Sequence, residues 1–443
     1  MAYPRVLFVA PHAFNRITGG GITFSNLFRG WPQEALATVH NDPEPTTDDV
    51  CNRYYVLGER ELDLAPPFNR LRRGYRATVG GAKDGSAAGV AAAPGLVSRV
   101  KALTLRLLGD SFPERACLTR ELEAWIAAFR PQVIYTILGS NGMMELIEGI
   151  RLRFDLPVVV HIMDDWMTSY HRRGLLGPWQ RRKMDRWVTH FMGVADTCLG
   201  ISPAMCEAFA TRYGREFQSF QNTIDVARWS RYGRPGCPSK VPADVLYVGS
   251  IFPNAQLESL VDCCHAVALL NEAGLATTLT IVSPDNQVGR YASRLLVHPA
   301  IRIEPSIGDD DRFFRRIADA DVLLLPVNFD TASVGFIRYS MPTKVPAYLT
   351  VGTPILAYGP ASTAQIDYAL KSGWAEVIVE RDEGRLTGAL RSLIGDVALR
   401  GRLSATAMKV AELNHDSQAV RSKFQDTLRR GATRISQQGA KEQ

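Results

Sequence analysis

The chain has 443 residues, 46% of them hydrophobic and 22% charged, a balance that excludes collagen, a disulfide-stapled miniprotein and a wholly disordered chain. Its 51 Lys and Arg against 45 Asp and Glu leave a net charge of +6, too little over this length to argue a nucleic-acid partner. Single cores rarely grow past about 250–300 residues, so two domains are expected.

In chain order, Arg5–Ala10 (RVLFVA) has the length of a buried strand, Thr18–Gly21 reads as a glycine-rich loop and Ile22–Arg29 as the helix after it. Gly19, Gly20 and Gly21 lie nine residues or more beyond the strand, too far for the tight GxGxxG turn of a dinucleotide fold. Ahead of a helix they still offer backbone N–H groups to a phosphate or sugar. Between Arg60 and Phe112 nine basic residues stand against four acidic ones. That insert contains a Gly and Ala-rich run, Gly80–Gly95, expected to be a mobile loop, and then a short helix striped by Leu96, Val100, Leu103 and Leu107 with Arg99 and Arg106 beside it. A basic amphipathic segment suits an anionic membrane surface.

Glu114–Phe129 reads as helix, Gln132–Ile137 as strand, Gly142–Phe154 as helix and Pro157–Ile162 as strand. Short buried strands alternating with helices predict a parallel sheet. The pattern lapses over Asp225–Pro242, which places the domain boundary there, and resumes with strand Asp244–Val248, helix Ala255–Asn271 and strands Thr277–Val282, Ile301–Ile303 and Val322–Pro326. The fold class expected is α/β, two Rossmann-like doubly wound domains facing across a cleft: 1–235, 236–415, and a terminal helix and tail over 416–443. No apolar run is long enough to span a membrane, and Met1–Gly19 lacks the features of a secretion signal, so a cytoplasmic protein is expected. Seven scattered cysteines without a CxxC pair read as buried thiols.

Two stretches carry chemistry-bearing residues. His161, Asp164 and Asp165 follow the apolar strand Val158–Val160, where an α/β sheet delivers functional side chains. An imidazole can act as a base while a carboxylate orients it or holds a sugar hydroxyl. The same three residues could also ligate a divalent ion, and Trp166, Tyr170 and Trp179 could offer flat faces to a sugar ring. Farther on, Tyr339–Thr350 (YSMPTKVPAYLT) reads as a loop entering a helix, with Ser340 or Met341 near the cap, Pro342 in the first turn and Lys344 just inside. A cation there opposes the helix dipole unless an anion occupies the helix end. Thr343, Lys344 and the local amides are therefore expected to hold a diphosphate.

Four stretches together resemble a GT-B glycosyltransferase of the retaining family-four type: the Gly19–Gly21 loop; PVVVHIMDDW (Pro157–Trp166); GISPAMCEAF with FQNTID (Gly200–Phe209 and Phe220–Asp225); and PTKVPAYLTVGTPILAYGP (Pro342–Pro360), the last seconded by YVGSIFPNAQ (Tyr247–Gln256). The resemblance implies an amino-terminal domain for the acceptor and a carboxyl-terminal domain for a nucleotide-activated sugar. His161 would match the active-site histidine, Gly249 and Ser250 the loop opening the donor domain, and Lys344, with Tyr348 nearby, the donor phosphates. The terminal helix, near Ser417–Arg430, would cross back toward the first domain. Two departures stand out. The family's pair of glutamates falls on Tyr339 and Ala347, and the Arg and Lys that often follow the donor-domain glycine are replaced by Ser250 and by Asn254-Ala255. Arg338 and Lys344 are then the candidates to supply the positive charge.

The reaction expected is metal-independent transfer of one sugar from a nucleotide-diphosphate donor, used as substrate with no cofactor, to a hydroxyl of a lipid-linked or cell-surface polysaccharide acceptor, with retention. Lys344 and Arg338 stabilise the leaving diphosphate, whose own oxygen could accept the hydroxyl proton, while His161 orients a sugar and Asp164 or Asp165 binds a hydroxyl. The basic 60–112 insert implies peripheral attachment to the inner face of the cell membrane. A weakly active sugar-binding partner subunit and a nucleotide-sugar isomerase of the same fold are the alternatives.

Overall fold

The structure, a computed structural model, describes residues 3–438 apart from 67, 72–110, 173, 234–235 and 237. The Gly80–Gly95 run and the Leu96–Leu107 helix lie outside the described residues. The chain forms two compact units, one of residues 1–219 with 423–443, the other Phe220–Ser422.

The first unit is built on a seven-stranded sheet of β1 (Val6–Ala10), β2 (Leu36–His40), β3 (Tyr54–Val56), β6 (Val133–Thr136), β7 (Val158–Ile162), β8 (Thr197–Gly200) and β9 (Phe217–Ser219), in the order β3-β2-β1-β6-β7-β8-β9. Every neighbouring pair is parallel. β1, β2, β6 and β7 are buried along their whole length, as strands with helices on both faces must be. Their side chains meet an aromatic cluster in which the rings of Phe8, Phe24, Phe28 and Tyr135 lie 5.1–6.3 Å apart. The terminal helix, Ser417–Gln438, brings Phe424 into it, 5.0 Å from Phe28 and 5.8 Å from Tyr135.

A two-stranded antiparallel ribbon, β4 (Leu62–Leu64) with β5 (Glu114–Ala116), also belongs to this unit. It corrects the reading of Glu114–Phe129 as one helix: the helix runs Arg120–Phe129 and starts where the Thr119 hydroxyl accepts from Leu122 N at 3.3 Å. A second correction concerns the glycines. Gly19–Phe28 is the helix, so Gly19, Gly20 and Gly21 form its first turn and not a loop. Thr18 caps it, accepting from Gly21 N at 3.1 Å.

The second unit carries a six-stranded parallel sheet of β10 (Ala243–Val248), β11 (Thr277–Ser283), β12 (Ile301–Pro305), β13 (Val322–Pro326), β14 (Ile355–Tyr358) and β15 (Glu376–Ile378), ordered β12-β11-β10-β13-β14-β15. The two-residue side-chain period sorts its strands into two cores. Leu246, Leu323 and Leu325 face the Asp310–Asp319, Val345–Val351 and Val397–His415 helices, while Val245, Tyr247, Val322 and Leu324 face Leu257–Glu272 and Glu383–Gly395.

Residues 220–232, expected in the first half, pack in the second unit. Ile224 N donates to His415 O at 2.9 Å, Ser417 N to Ile224 O at 2.8 Å, and the Trp229 ring stacks on Phe314 with centroids 4.1 Å apart. Of the cysteines expected to be buried, Cys117 is exposed; Cys51, Cys198, Cys206, Cys263 and Cys264 are buried.

Candidate functional site

In each sheet the strand order reverses at a central strand: at β1, flanked by β2 and β6, and at β10, flanked by β11 and β13. The carboxyl end of such a strand is where open α/β sheets bind ligands.

At the end of β10 the structure brings together four residues singled out from the sequence. Gly249 has φ +141°, a backbone conformation that favours glycine, and a Cβ there would come within 3.2 Å of Lys344 Nζ and 3.5 Å of the Tyr247 hydroxyl. Lys344 Nζ donates to Val248 O at 3.0 Å and sits 4.0 Å from the centre of the Tyr247 ring and 5.9 Å from that of Tyr348. The Tyr348 hydroxyl accepts from Val248 N at 3.2 Å. Ser250 O accepts from the Tyr247 hydroxyl at 2.6 Å and from Gln256 Nε2 at 2.8 Å. Gln287 Oε1 takes Ile251 N at 2.7 Å, so the turn after β10 is held from three sides. Gln256 and Gln287 are amides that carry no signal in the sequence and are found only by their contacts.

Withdrawal from water is the dominant influence on Lys344 and lowers its pKa to about 7. An anion bound beside it would restore the charged form. Lys344 occupies the N-cap of the helix Val345–Val351, and Pro346, in place of Pro342, lies in the first turn. Of the local amides, Val345 N donates to Pro342 O at 3.2 Å, and Pro346 has no N–H. Thr343 joins through its carbonyl, which accepts from Asn222 Nδ2 at 2.9 Å, and Ser340 N donates to Ile337 O at 3.0 Å. Arg338 is exposed, its guanidinium 5.5 Å from the centre of the Tyr339 ring.

The His161 group is arranged otherwise than the sequence implied. His161 lies within β7, fully buried, with Nδ1 2.6 Å from the Tyr135 hydroxyl. Asp165 is buried and makes a two-pronged ion pair with Arg212 at 3.0 and 3.1 Å, while Asp164 is exposed. His161 thus lies next to the end of β7 and Asp164 and Asp165 in the turn that follows it. No group of three or more His, Cys, Asp or Glu suited to a metal occurs among the described residues. Tyr170 and Trp179 are exposed, as a sugar platform requires.

At the end of β1 lies a group the sequence did not signal: His12 and Asn15 after β1, His40 at the end of β2 and Asp42 after it, with Asp42 Oδ2 accepting from Ala13 N at 3.0 Å and from Asn15 Nδ2 at 3.1 Å. Gly21 is packed so tightly against Asn15 that a Cβ would lie 2.3 Å from its side chain.

No family model matches the chain, and no curated protein matches it. Among solved structures it is similar to the sucrose-phosphate synthase of Thermosynechococcus elongatus (TM-score 0.61, 12% identity, 96% of this chain and 98% of that one). It is also similar to Anabaena HepE, solved with UDP and glucose (0.59, 12%, 96% and 99%), and to WaaG, a glycosyltransferase of lipopolysaccharide biosynthesis (0.57, 14%, 95% and 99%). The chain therefore has the GT-B glycosyltransferase fold. Among the described residues no helix is long and apolar enough to cross a membrane.

Proposed function

We propose that the protein is a glycosyltransferase that takes one sugar from a nucleotide-diphosphate donor and places it on a hydroxyl of a lipid-linked or cell-surface glycan acceptor, with retention and without a metal ion. One observation carries the reading: Lys344 is held at the carboxyl end of β10, at the strand-order reversal, with its ammonium against Gly249. A desolvated ammonium next to a ligand-binding strand end is poorly satisfied alone and well satisfied by a diphosphate. In the reaction negative charge grows on the leaving diphosphate, and a preorganised cation stabilises it most where water is excluded. That charge is the service a metal ion gives in other transferases.

The complexes of HepE with UDP and with UDP-glucose support a uridine nucleotide as the first donor to try. The second unit takes the donor in this reading and the first takes the acceptor. Arg338 adds charge for the nucleotide, and Gly19, exposed, and Gly20, half-buried, in the opening turn of the Gly19–Phe28 helix, serve the acceptor. The protein works in the cytoplasm, peripherally on the membrane through the 60–112 insert.

The test is thermal unfolding with a panel of nucleotide sugars, followed by product analysis. A ligand at 100 times its Kd adds about 2.7 kcal/mol, an increment that Lys344→Ala should reduce. A panel without any stabilising compound would overturn the proposal. Ala347, buried where the family carries an acid, favours one second reading, a partner subunit that binds the donor and does not turn it over. Nucleotide release with and without glycan lipid separates the two.

A further inference from the structure

Between β7 and β8 the first unit carries the helix Gly177–Val194, which turns Gln180, Met184, Val188 and Phe191 inward. At helical spacing on its other side stand Trp179, Arg182 and Arg186, all exposed. Just ahead of the helix Leu175 is 74% exposed and Tyr170 42%, against 51% for Trp179. A large apolar side chain left singly in water needs no explanation, but three within one stretch of ten residues mark a contact surface.

The loop ahead of the helix is folded onto it. Gly177 N donates to Gly174 O at 3.0 Å and Arg181 Nη1 to Tyr170 O at 3.3 Å, and a Cβ at Gly177 would lie 3.0 Å from His171 O. Tyr170, Leu175 and Trp179 therefore emerge together at the amino-terminal end of the helix. Cations surround them: Tyr170–Trp187 holds six Arg and Lys and a single Asp. Lys183 is paired with Glu145 at 3.2 Å, but Arg172, Arg181 and Arg186 each give an N–H to a backbone carbonyl, that of Thr168, Tyr170 and Arg182 respectively, and a guanidinium has about five to give. The first turn of the helix carries no acid, so its dipole adds to the positive field. Ser111, where the 60–112 insert closes, is buried, its Oγ 3.5 Å from a Cβ placed at Gly177, so the insert returns to the fold at the same place.

We propose that Tyr170, Leu175 and Trp179, with Arg172, Arg182 and Arg186, form a surface that docks the protein on an anionic phospholipid bilayer. The inference rests on the peripheral attachment proposed above and gives it a folded contact besides the basic insert. The guanidiniums meet headgroup phosphates, Tyr170 and Trp179 lie at headgroup level and Leu175 enters the acyl boundary. Charge selects an acidic partner, and area selects the bilayer among acidic partners. A stable protein interface buries about 800 Å² on each side, more than three protruding side chains provide, whereas a membrane takes up a few apolar side chains ringed by cations.

The experiment floats the full-length protein with vesicles of phosphatidylcholine, with and without phosphatidylglycerol. Wild type should bind only the anionic vesicles, and less as salt rises. Arg182→Ser with Arg186→Ser should lower the partition coefficient about 30-fold, from about 1 kcal/mol per cation. Leu175→Ser with Trp179→Ser should lower it at least about 10-fold at an unchanged Tm, because both side chains are largely exposed. Brominated acyl chains should quench part of the wild-type tryptophan fluorescence, and Trp179→Phe, which still binds, should lose most of that quenching. Wild-type partitioning in both double variants overturns the proposal and leaves the 60–112 insert as the membrane contact, and so does vesicle binding without any quenching. A wild type that ignores anionic vesicles overturns the peripheral attachment itself. Retention on polyglutamate in place of vesicles, or a dimer that Leu175→Ser dissolves, assigns the surface to a protein and overturns the lipid contact.

Discussion

Raising the pH should weaken donor binding through Lys344 alone. With the free protein's Lys344 at about 7, about half of the molecules carry the ammonium at pH 7 and about 3% at pH 8.5, from the ordinary titration relation. If the diphosphate is held by the charged form, affinity falls about 16-fold over that interval, or about 1.6 kcal/mol. The direction follows from linkage: an anion that raises the lysine's pKa takes up a proton on binding, so binding is favoured where protons are plentiful. A nucleotide sugar such as UDP-glucose is the proper probe, because its diphosphate has no free terminal oxygen titrating in this range. Titration calorimetry at pH 8.5 in two buffers of different ionisation enthalpy should show uptake of about one proton per site. Lys344→Met should bind more weakly at pH 7 by about 10- to 150-fold, the span of 1.5–3 kcal/mol for a hydrogen bond to a charged group, with no proton uptake and a flat affinity between pH 7 and 8.5. A wild-type affinity that is flat over the interval, or a slope that survives in Lys344→Met, would refute the placement of the diphosphate on this ammonium.

Other perturbations test the framework around the two strand ends. Gly21→Ala forces a Cβ to within 2.3 Å of Asn15 and should cost about 1–3 kcal/mol in urea unfolding, the usual penalty for overpacking. Trp229→Ala removes the stack on Phe314 from the second unit's core and should cost about 3–5 kcal/mol, read as a lowered Tm. Arg400 is buried, donates to Asp321 O and Leu393 O at 2.9 Å and lies 3.7 Å from the buried Asp321 carboxylate. Arg400→Met leaves that carboxylate only the N–H groups of Asp244 at 2.8 Å and Lys240 at 3.3 Å and should destabilise by about 1–3 kcal/mol, whereas Arg400→Met with Asp321→Asn should recover part of the loss. His415 is buried with Nε2 3.1 Å from the Tyr368 hydroxyl, and burial lowers its pKa to about 4. The folded state keeps it neutral while the unfolded chain protonates near 6.5, so its contribution is full above about 6.5 and is lost as pH falls toward 4. His415→Asn should flatten that part of the stability profile.

The periodic part of the fold was legible because it is set locally. Val133–Thr136, Val158–Ile162 and Val322–Pro326 are apolar runs bounded by polar turns, and a parallel sheet covered on both faces requires such runs. What escaped depends on partners far along the chain. Glu114–Ala116 is strand only because Leu62–Leu64 pairs with it, and the intrinsic preferences of Glu and Ala point the other way. Residues 220–232 join the second unit because Ile224 bridges to Asp416 and Trp229 finds Phe314, contacts that no local pattern in the stretch advertises.

The two candidate sites differ in the same way. Lys344 could be named in advance because a cation entering a helix violates a local preference, and a local violation is visible in one dimension, whereas Gly249 and Tyr348 came from the family resemblance. His161, after three valines, lies in β7, which runs through Ile162, and its ring is buried with Nδ1 at the Tyr135 hydroxyl. His12 and Asp42 break no local rule. A proline-histidine after a strand and an aspartate in a polar loop are unremarkable singly, and they come together only when β1 and β2 align in register, Ala10 beside His40, and carry both to one end of the sheet. In a doubly wound fold the pairing of adjacent strands thus does for acid–base groups what a sequence motif does for phosphate binders, and the residues to examine first are those one to three positions past the strands that flank the reversal.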